Sequence, residues 1–252
     1  MNVYGLTKKQ HYHQKKIIDG FVSSSNKVQI KFLNNNLTSS LSPSNKIFCA
    51  NWIWDQATEG RGFSHKIELK MNDIVNNALA ENVDPNNRPH SDLTNYWGLW
   101  IARYKAHILT SYLQQNNPWK TQVLPEKFKL KHSPEELFES MNIPNSFTTN
   151  ASNRKFIGLF VRTLFHHTVF DHIDNVKWSL YEAYEGEFLS PACPLNSLLV
   201  IPISPTKIFC GSRGKTVNDG KISLKEVKRI NKLIIQNSDN FVFAKNLKMC
   251  PY

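Results

Sequence analysis

Two histidines one residue apart occur near the start of the sequence, in the run His11-Tyr12-His13-Gln14. Lysine pairs flank this run, at positions 8–9 and 15–16. An imidazole exchanges protons near neutral pH, and a lysine ammonium beside it can hold a phosphate. The pattern is therefore typical of an acid–base or phosphate site. The simpler alternative is an exposed basic tail.

A second group of histidines follows a long apolar stretch, in the runs His166-His167 and Asp171-His172. If residues 152–173 form one helix, His167 and Asp171 lie four residues apart on the same face and can touch. A carboxylate that holds an imidazole fixes its tautomer and raises its basicity. The pair predicts an acid–base dyad or half of a metal site. The alternative is a satisfied pair at the polar end of a core helix.

A third candidate is a row of cations near the carboxyl end. The run Gly211-Ser212-Arg213-Gly214-Lys215 lacks the spacing of a phosphate-binding P-loop. Behind it, Ser223 begins a capping box, and the helix that it predicts carries cations at intervals of three, four and seven residues: Lys225, Lys228, Arg229 and Lys232. Such a stripe can follow a phosphate backbone. A lone basic stripe is also what a solvated helix face looks like.

The overall charge favours an anionic partner. The 252 residues carry a formal net charge of +11, with a pI near 9.4. Residues 1–46 and 151–252 hold the positive excess, whereas residues 47–150 are nearly neutral. If the two ends meet in space, they predict one basic face that suits nucleic acid. The alternative is genome bias, since lysine far outnumbers arginine.

Several classes of protein are disfavoured. The four cysteines stand far apart, which argues against a zinc ribbon and a disulfide scaffold. No apolar run is long enough to span a bilayer, and no apolar stretch follows the first lysines as in a secretory signal. We therefore expect a cytoplasmic protein without a membrane partner, and the sequence identifies neither a metal site nor a cofactor.

The spacing of apolar residues predicts an α+β fold in a single domain over residues 1–252. The middle, about 64–173, is helical, and the part from about 174 to 252 is rich in strands. Strands from both ends of the chain are expected to share one mixed sheet, with the helices packed on one side. The predicted helices cover 64–81, 92–115, 133–141 and 152–173, and one follows Ser223. The predicted strands cover 28–32, 46–50, 176–180, 198–203, 207–210 and 241–244, and residues 34–45 are predicted to form a loop.

Several segments together resemble a known family, domain of unknown function 4238. The run His11-Tyr12-His13-Gln14 resembles its opening His-Tyr-Val-Pro-Gln motif. Phe188–Pro194 is similar to its Phe-Ile-Thr-Ser-Asp-Asn-Pro stretch, and Ile201–Pro205 to its Pro-Leu-Ser-Pro strand. Val227–Phe243, with Arg229, Asn231 and Asn240, is similar to its closing helix and strand.

The resemblance implies a mostly bacterial and phage-associated intracellular protein without a settled activity. It suggests a role in phage–host or toxin-type conflict with nuclease-like chemistry. The sequence also departs from the family pattern, because His13 alone replaces Val-Pro and Ala192 replaces the aspartate of the second motif. It therefore resembles a degenerate member that binds without cutting.

From these observations the sequence predicts a protein that engages nucleic acid, RNA rather than DNA, and that has metal-independent nuclease chemistry if it is an enzyme. His11 or His13 is the expected general base, and the His167–Asp171 pair the expected general acid. The residues expected to bind phosphate are Lys15, Lys16, Arg213, Lys215, Lys225, Lys228, Arg229 and Lys232. The competing hypothesis is a non-enzymatic module that binds a protein partner, such as an inhibitor or antitoxin-like accessory.

Overall fold

The computed structural model describes residues 9–59, 62–81, 84, 87–116, 149–171, 175–195, 198–214 and 219–252. The predicted helix over 133–141 and the candidate cation Lys215 lie outside these ranges. The statements below concern the described residues.

The described residues form five α-helices; the four longer ones lie close to predicted positions, whereas the short N-terminal helix was not predicted. The N-terminal helix α1 is short, whereas α2 to α4 make up the helical middle, and α5 begins directly after the capping residue Ser223. Their bounds are α1 Lys15–Asp19, α2 Phe63–Leu79, α3 His90–Asn116, α4 Thr149–His166 and α5 Leu224–Gln236. A 3₁₀ turn, Leu247–Met249, follows the last strand.

The fourth helix ends earlier than predicted. The α-helical part stops at His166, and a π-helical turn, His167–Asp171, continues it. This turn packs against α3 at Gly98, where an added Cβ atom would lie 2.4 Å from Val169 Cγ2. The glycine therefore allows the backbone of α3 to approach the turn closely.

Ten strands form three sheets. Their bounds are β1 Lys9–His11, β2 Val28–Phe32, β3 Thr38–Leu41, β4 Cys49–Asn51, β5 Val176–Ala183, β6 Ser190–Pro191, β7 Val200–Pro202, β8 Lys207–Arg213, β9 Gly220–Ile222 and β10 Phe241–Ala244. β1 pairs only with β4. The first sheet has the order β3-β2-β10-β6 and the second sheet the order β7-β8-β5-β9.

The predicted α+β fold is confirmed, with strands from both ends of the chain in one sheet. In the first sheet, Phe241 of β10 lies opposite Phe32 of β2, and all pairs are antiparallel. The second sheet is mixed, because β5 pairs in parallel with β9 and antiparallel with β8. The strands that were expected to form a single mixed sheet are thus distributed over three sheets, since the strand predicted near 46–50 forms β4 of the two-stranded sheet.

The prediction of a loop over 34–45 is wrong for β3. This strand forms a hairpin with β2, closed by a hydrogen bond from the Phe32 amide to the Leu37 carbonyl (2.8 Å). Its residues Thr38, Ser39 and Ser40 are polar because β3 is the outer strand of the sheet. The strand predicted over 46–50 starts later, since residues 45–48 form a turn.

The first sheet separates two apolar cores. Side chains alternate between the faces of a strand, so Phe241 and Phe243 of β10 face one way and Val242 and Ala244 the other. The central core lies on the first face and includes Ile17, Ile18, Met71, Val75, Trp97 and Trp100, from α1, α2 and α3. The α5 core lies on the second face and includes Val227, Ile230 and Ile234. Helices α1 to α3 and helix α5 therefore cover opposite faces of the first sheet.

A third apolar cluster, the α3–α4 core, joins α3 to α4. It uses Leu99, Ala102 and Ala106 of α3, which point away from the central core, together with Ile157, Val161 and Phe165 of α4. Some large apolar side chains of the helices are exposed, among them Phe156 (60%), Leu224 (44%) and Leu233 (36%). Among the described helices, none combines the length and the apolar character needed to cross a bilayer.

Candidate functional site

The structure places His13 inside the central core. Its ring stacks on Trp100, with centroids 3.9 Å apart and planes 7° from parallel, and its Nδ1 atom is hydrogen-bonded to the Tyr96 hydroxyl (2.7 Å). The side chain is fully buried. Burial, together with a smaller contribution from the charge of His11, lowers the pKa of His13 to about 3, so the ring is neutral at pH 7. A fully buried ring cannot contact a nucleic acid substrate, so this position argues against His13 as the general base.

His11 lies at the end of β1 and is only partly buried. Its Nε2 atom is buried and has no hydrogen-bond partner in the described chain. Burial lowers its pKa, and this effect outweighs a backbone hydrogen bond at Pro43 that raises it. Its carbonyl oxygen accepts a hydrogen bond from Arg103 Nη1 (3.1 Å). His11 is therefore a weak base beside a fixed cation.

Gln10, directly before the N-terminal run, and Gln14, at its end, connect the run to neighbouring segments. Gln10 Oε1 accepts hydrogen bonds from the amides of Ile53 (2.7 Å) and Trp54 (3.1 Å), while its Nε2 donates to the Trp54 carbonyl (2.8 Å). Gln14 Nε2 donates to the Glu68 carbonyl and to Asn72 Oδ1, both on α2. The run thus ties β1 to the loop after β4 and to α2, which gives its polar residues a structural role.

A buried charge cluster lies beside this run. Arg103 of α3 is 1% exposed and forms ion pairs with Glu59 (2.6 Å) and Glu68 (2.7 Å). Glu59 also accepts a hydrogen bond from Trp54 Nε1 (2.8 Å). Burial raises the pKa of Glu59 although Arg103 opposes the shift. The motifs in the sequence did not point to these residues; the one signal for them was an arginine within the apolar pattern of α3.

The second histidine group lies on the other side of α3. His167 is exposed, and the side chain of Asp171 lies outside the described part of the chain. Their backbone is π-helical, so the α-helical spacing that predicted their contact does not apply. Val169 of this turn packs in the α3–α4 core, whereas His13 stacks on Trp100 in the central core. Helix α3 therefore separates the expected general acid from His13.

The cations of α5 lie together as predicted. Lys225, Lys228, Arg229 and Lys232 are all exposed, while the opposite face of the helix is buried in the α5 core. The Ser223 side chain accepts from the Glu226 amide and caps the helix. Arg229 Nε donates to Glu226 (2.9 Å), so one of the four cations is partly neutralised.

The other predicted phosphate-binding residues do not join this surface. Lys15 pairs with Asp19 (2.6 Å), and Lys16 donates to Asn76 of α2 (2.6 Å). Both are on α1, across the first sheet from α5. Arg213 is exposed at the end of β8, and strand alternation places it on the opposite face from Ser212, which borders α5. The prediction of one basic face built from both ends is therefore not supported.

A pocket of about 830 Å³ opens beside β1, β4 and α3. Its wall includes two lysines, Lys9 and Lys46, and the rings of Tyr12, Tyr104 and His107. All four cysteines are free thiols, and Cys49 lines this pocket. In the described ranges, no three His, Cys, Asp or Glu side chains are grouped so as to hold a metal ion.

In comparisons with known proteins, no family model matches this chain, no curated protein matches it and no solved structure matches it. The resemblance to domain of unknown function 4238 therefore stays a prediction.

Proposed function

We propose that this protein is a cytoplasmic nucleic-acid-binding protein that holds the phosphate backbone on the outward face of α5 and prefers RNA to DNA. The observation that carries the proposal is the row of four exposed cations on one face of a helix whose other face is buried. Because the helix is anchored, its cations are already in place, and binding does not require a flexible segment to become ordered.

The dimensions of this row suit a phosphate backbone. Lys225 and Lys232 are seven residues apart, which corresponds to about 10 Å along a helix. Phosphates of one strand in a duplex are spaced by roughly 3.4 Å along the axis, so the row spans about three spacings and can face about four phosphates. Contacts of this kind are independent of sequence, because they reach no base edges.

The proposal is confined to binding. Cleavage without a metal needs two proton carriers at one place. His13 is sealed in the central core, and His167 lies beyond α3. The nuclease chemistry and the role in phage–host or toxin-type conflict stay predictions.

The test is the salt dependence of RNA binding, measured by fluorescence anisotropy with a labelled single strand. Four phosphate contacts give a slope of log K against log salt of about −3, which is a loss of about 50-fold between 50 and 200 mM salt. The variant Lys225→Gln/Lys228→Gln/Lys232→Gln leaves only Arg229, so its slope falls to about −1. A DNA strand of the same sequence measures the preference for RNA.

The matched control is a variant that loses three exposed lysines elsewhere, at Lys27, Lys66 and Lys155. Because its net charge equals that of the α5 variant, it separates a local effect from a general one. The proposal is refuted if wild-type binding is insensitive to salt. It is also refuted if both triple variants weaken binding equally.

A further inference from the structure

The pocket beside β1, β4 and α3 has the features of a small-molecule site. Its volume of about 830 Å³ is within the usual range of about 300–1,000 Å³ for ligand pockets. The residues on its wall come from the N-terminal segment, the hairpin strand β2, the β4 region, α3 and the start of β10. We propose that it binds a nucleoside monophosphate, with the phosphate held by Lys9 and Lys46 and the base placed against the apolar wall.

The cationic part of the pocket is available for a ligand. Lys9 and Lys46 are both exposed and both line the pocket. Neither forms an ion pair with the described residues, in contrast to Lys15 and Lys70, which are paired with aspartates. A lysine ammonium is a compact point charge that suits phosphate oxygens. Two such groups on the wall of one pocket indicate an anionic ligand group.

The remaining wall is apolar and aromatic. Phe32 and Phe241 pack edge to face, with centroids 6.1 Å apart, and Ile47 and Ile53 also line the pocket. Flat rings bind well against surfaces of this kind. Burial lowers the pKa of His107, so this ring is a neutral part of the wall at pH 7. The ligand therefore combines an anion with a flat ring.

Two polar side chains on the wall can bind the edge of such a ring. Ser44 and Asn240 line the pocket and are both exposed. The ring of Tyr12 on the same wall is held by edge contact with Tyr104 (5.1 Å) and by stacking on His107 (5.6 Å). A nucleobase carries donors and acceptors at its edge that can pair with the hydroxyl and amide groups of Ser44 and Asn240, whereas a plain hydrocarbon ring cannot.

This site does not depend on the function proposed for α5. The pocket is lined by Phe32 and Phe241, and Phe241 faces the central core, whereas α5 covers the other face of the first sheet. The two sites can therefore fail separately. The triple glutamine variant of α5 is expected to bind nucleotide as the wild type does.

The experiment is calorimetric titration of the full chain with adenosine 5′-monophosphate, adenosine and inorganic phosphate. The monophosphate is expected to bind at least about tenfold more tightly than either half alone, because only it contacts both walls. Lys9→Gln/Lys46→Gln should weaken the monophosphate by about tenfold and leave adenosine unchanged.

The control Lys27→Gln/Lys66→Gln removes the same charge at two exposed lysines that do not line the pocket and is expected to leave binding unchanged. The proposal is overturned if the monophosphate binds no more tightly than its halves, or if both lysine pairs have the same effect. A short 5′-phosphorylated RNA strand identifies the source of the nucleotide. If the strand binds more tightly than the monophosphate, and Lys9→Gln/Lys46→Gln abolishes this difference, the ligand is an RNA terminus. If the monophosphate binds and the strand does not, the ligand is a free nucleotide.

Discussion

Acidification is expected to destabilise this protein through His13. The ring is fully buried, stacks on Trp100 and is bonded through Nδ1 to the Tyr96 hydroxyl. Protonation would place a charge in the central core, with no carboxylate among the groups that shift its pKa. The folded protein therefore keeps His13 neutral at a pH where the unfolded chain already binds a proton.

The size of the effect follows from the two pKa values. The pKa of His13 is about 3 in the folded protein, against an ordinary value of 6.5 that applies to the unfolded chain. Between these values the unfolded chain binds more protons, so stability rises with pH in this window and is lost as the pH falls. Each pH unit below 6.5 removes about 1.4 kcal/mol. At pH 5 the loss from this residue is about 2 kcal/mol.

The assay is urea unfolding followed by tryptophan fluorescence at pH 7 and pH 5, for the wild type and His13→Phe. Phenylalanine keeps a ring against Trp100 but cannot titrate. We expect the variant to be less stable at pH 7 because it loses the bond to Tyr96, and to lose about 2 kcal/mol less than the wild type on acidification. The other histidines are common to both proteins and cancel in the comparison. Equal losses in the two proteins would refute the reasoning.

Three further substitutions test the packing. Arg103→Met leaves Glu59 buried without its cation and is expected to cost about 3–5 kcal/mol in urea unfolding, with part of the loss recovered by adding Glu59→Gln. Gly62→Ala places a Cβ atom 1.8 Å from a backbone carbonyl oxygen and is expected to cost about 1–3 kcal/mol, measured as a lower melting temperature. Gly220→Ala, where an added Cβ meets nothing within 4 Å, is its control, and an equal loss there would contradict the steric argument. Ser223→Ala removes a long, exposed capping bond and is expected to cost about 0.5 kcal/mol, seen as a small fall in the urea midpoint.

The sequence pattern predicted the elements that bury one regular face. The period of the apolar residues placed α2, α3 and α5 within a few residues of their bounds, and alternation located β2 and β5. It failed for β3, whose residues are polar because an outer strand needs little apolar surface. It also failed at the end of α4. There the helix changes to a π-helical turn that packs against Gly98 of α3, and the period of the apolar residues does not reveal such a tertiary contact.

The candidate sites also differ in how far the sequence could predict them. The α5 stripe could be predicted because all four cations lie on one helix, where the spacing alone decides the face. The Arg103 cluster could not, since its partners Glu59 and Glu68 come from other segments of the chain. The positions of the predicted strands correctly indicated that the two ends meet in one sheet, as β2 and β10 do. It could not show that α1 and α5 lie on opposite faces of the sheet between them.

The position of β10 has a consequence for biosynthesis. This strand lies between β2 and β6, so β2 emerges from the ribosome long before its inner neighbour exists. At usual translation speeds the nascent chain waits roughly 10–40 s for that neighbour. During this interval β2 presents an unpaired hydrogen-bonding edge and apolar side chains, the state in which chains associate wrongly or recruit chaperones. The first sheet and both of the cores that it separates are completed only after translation has passed residue 244.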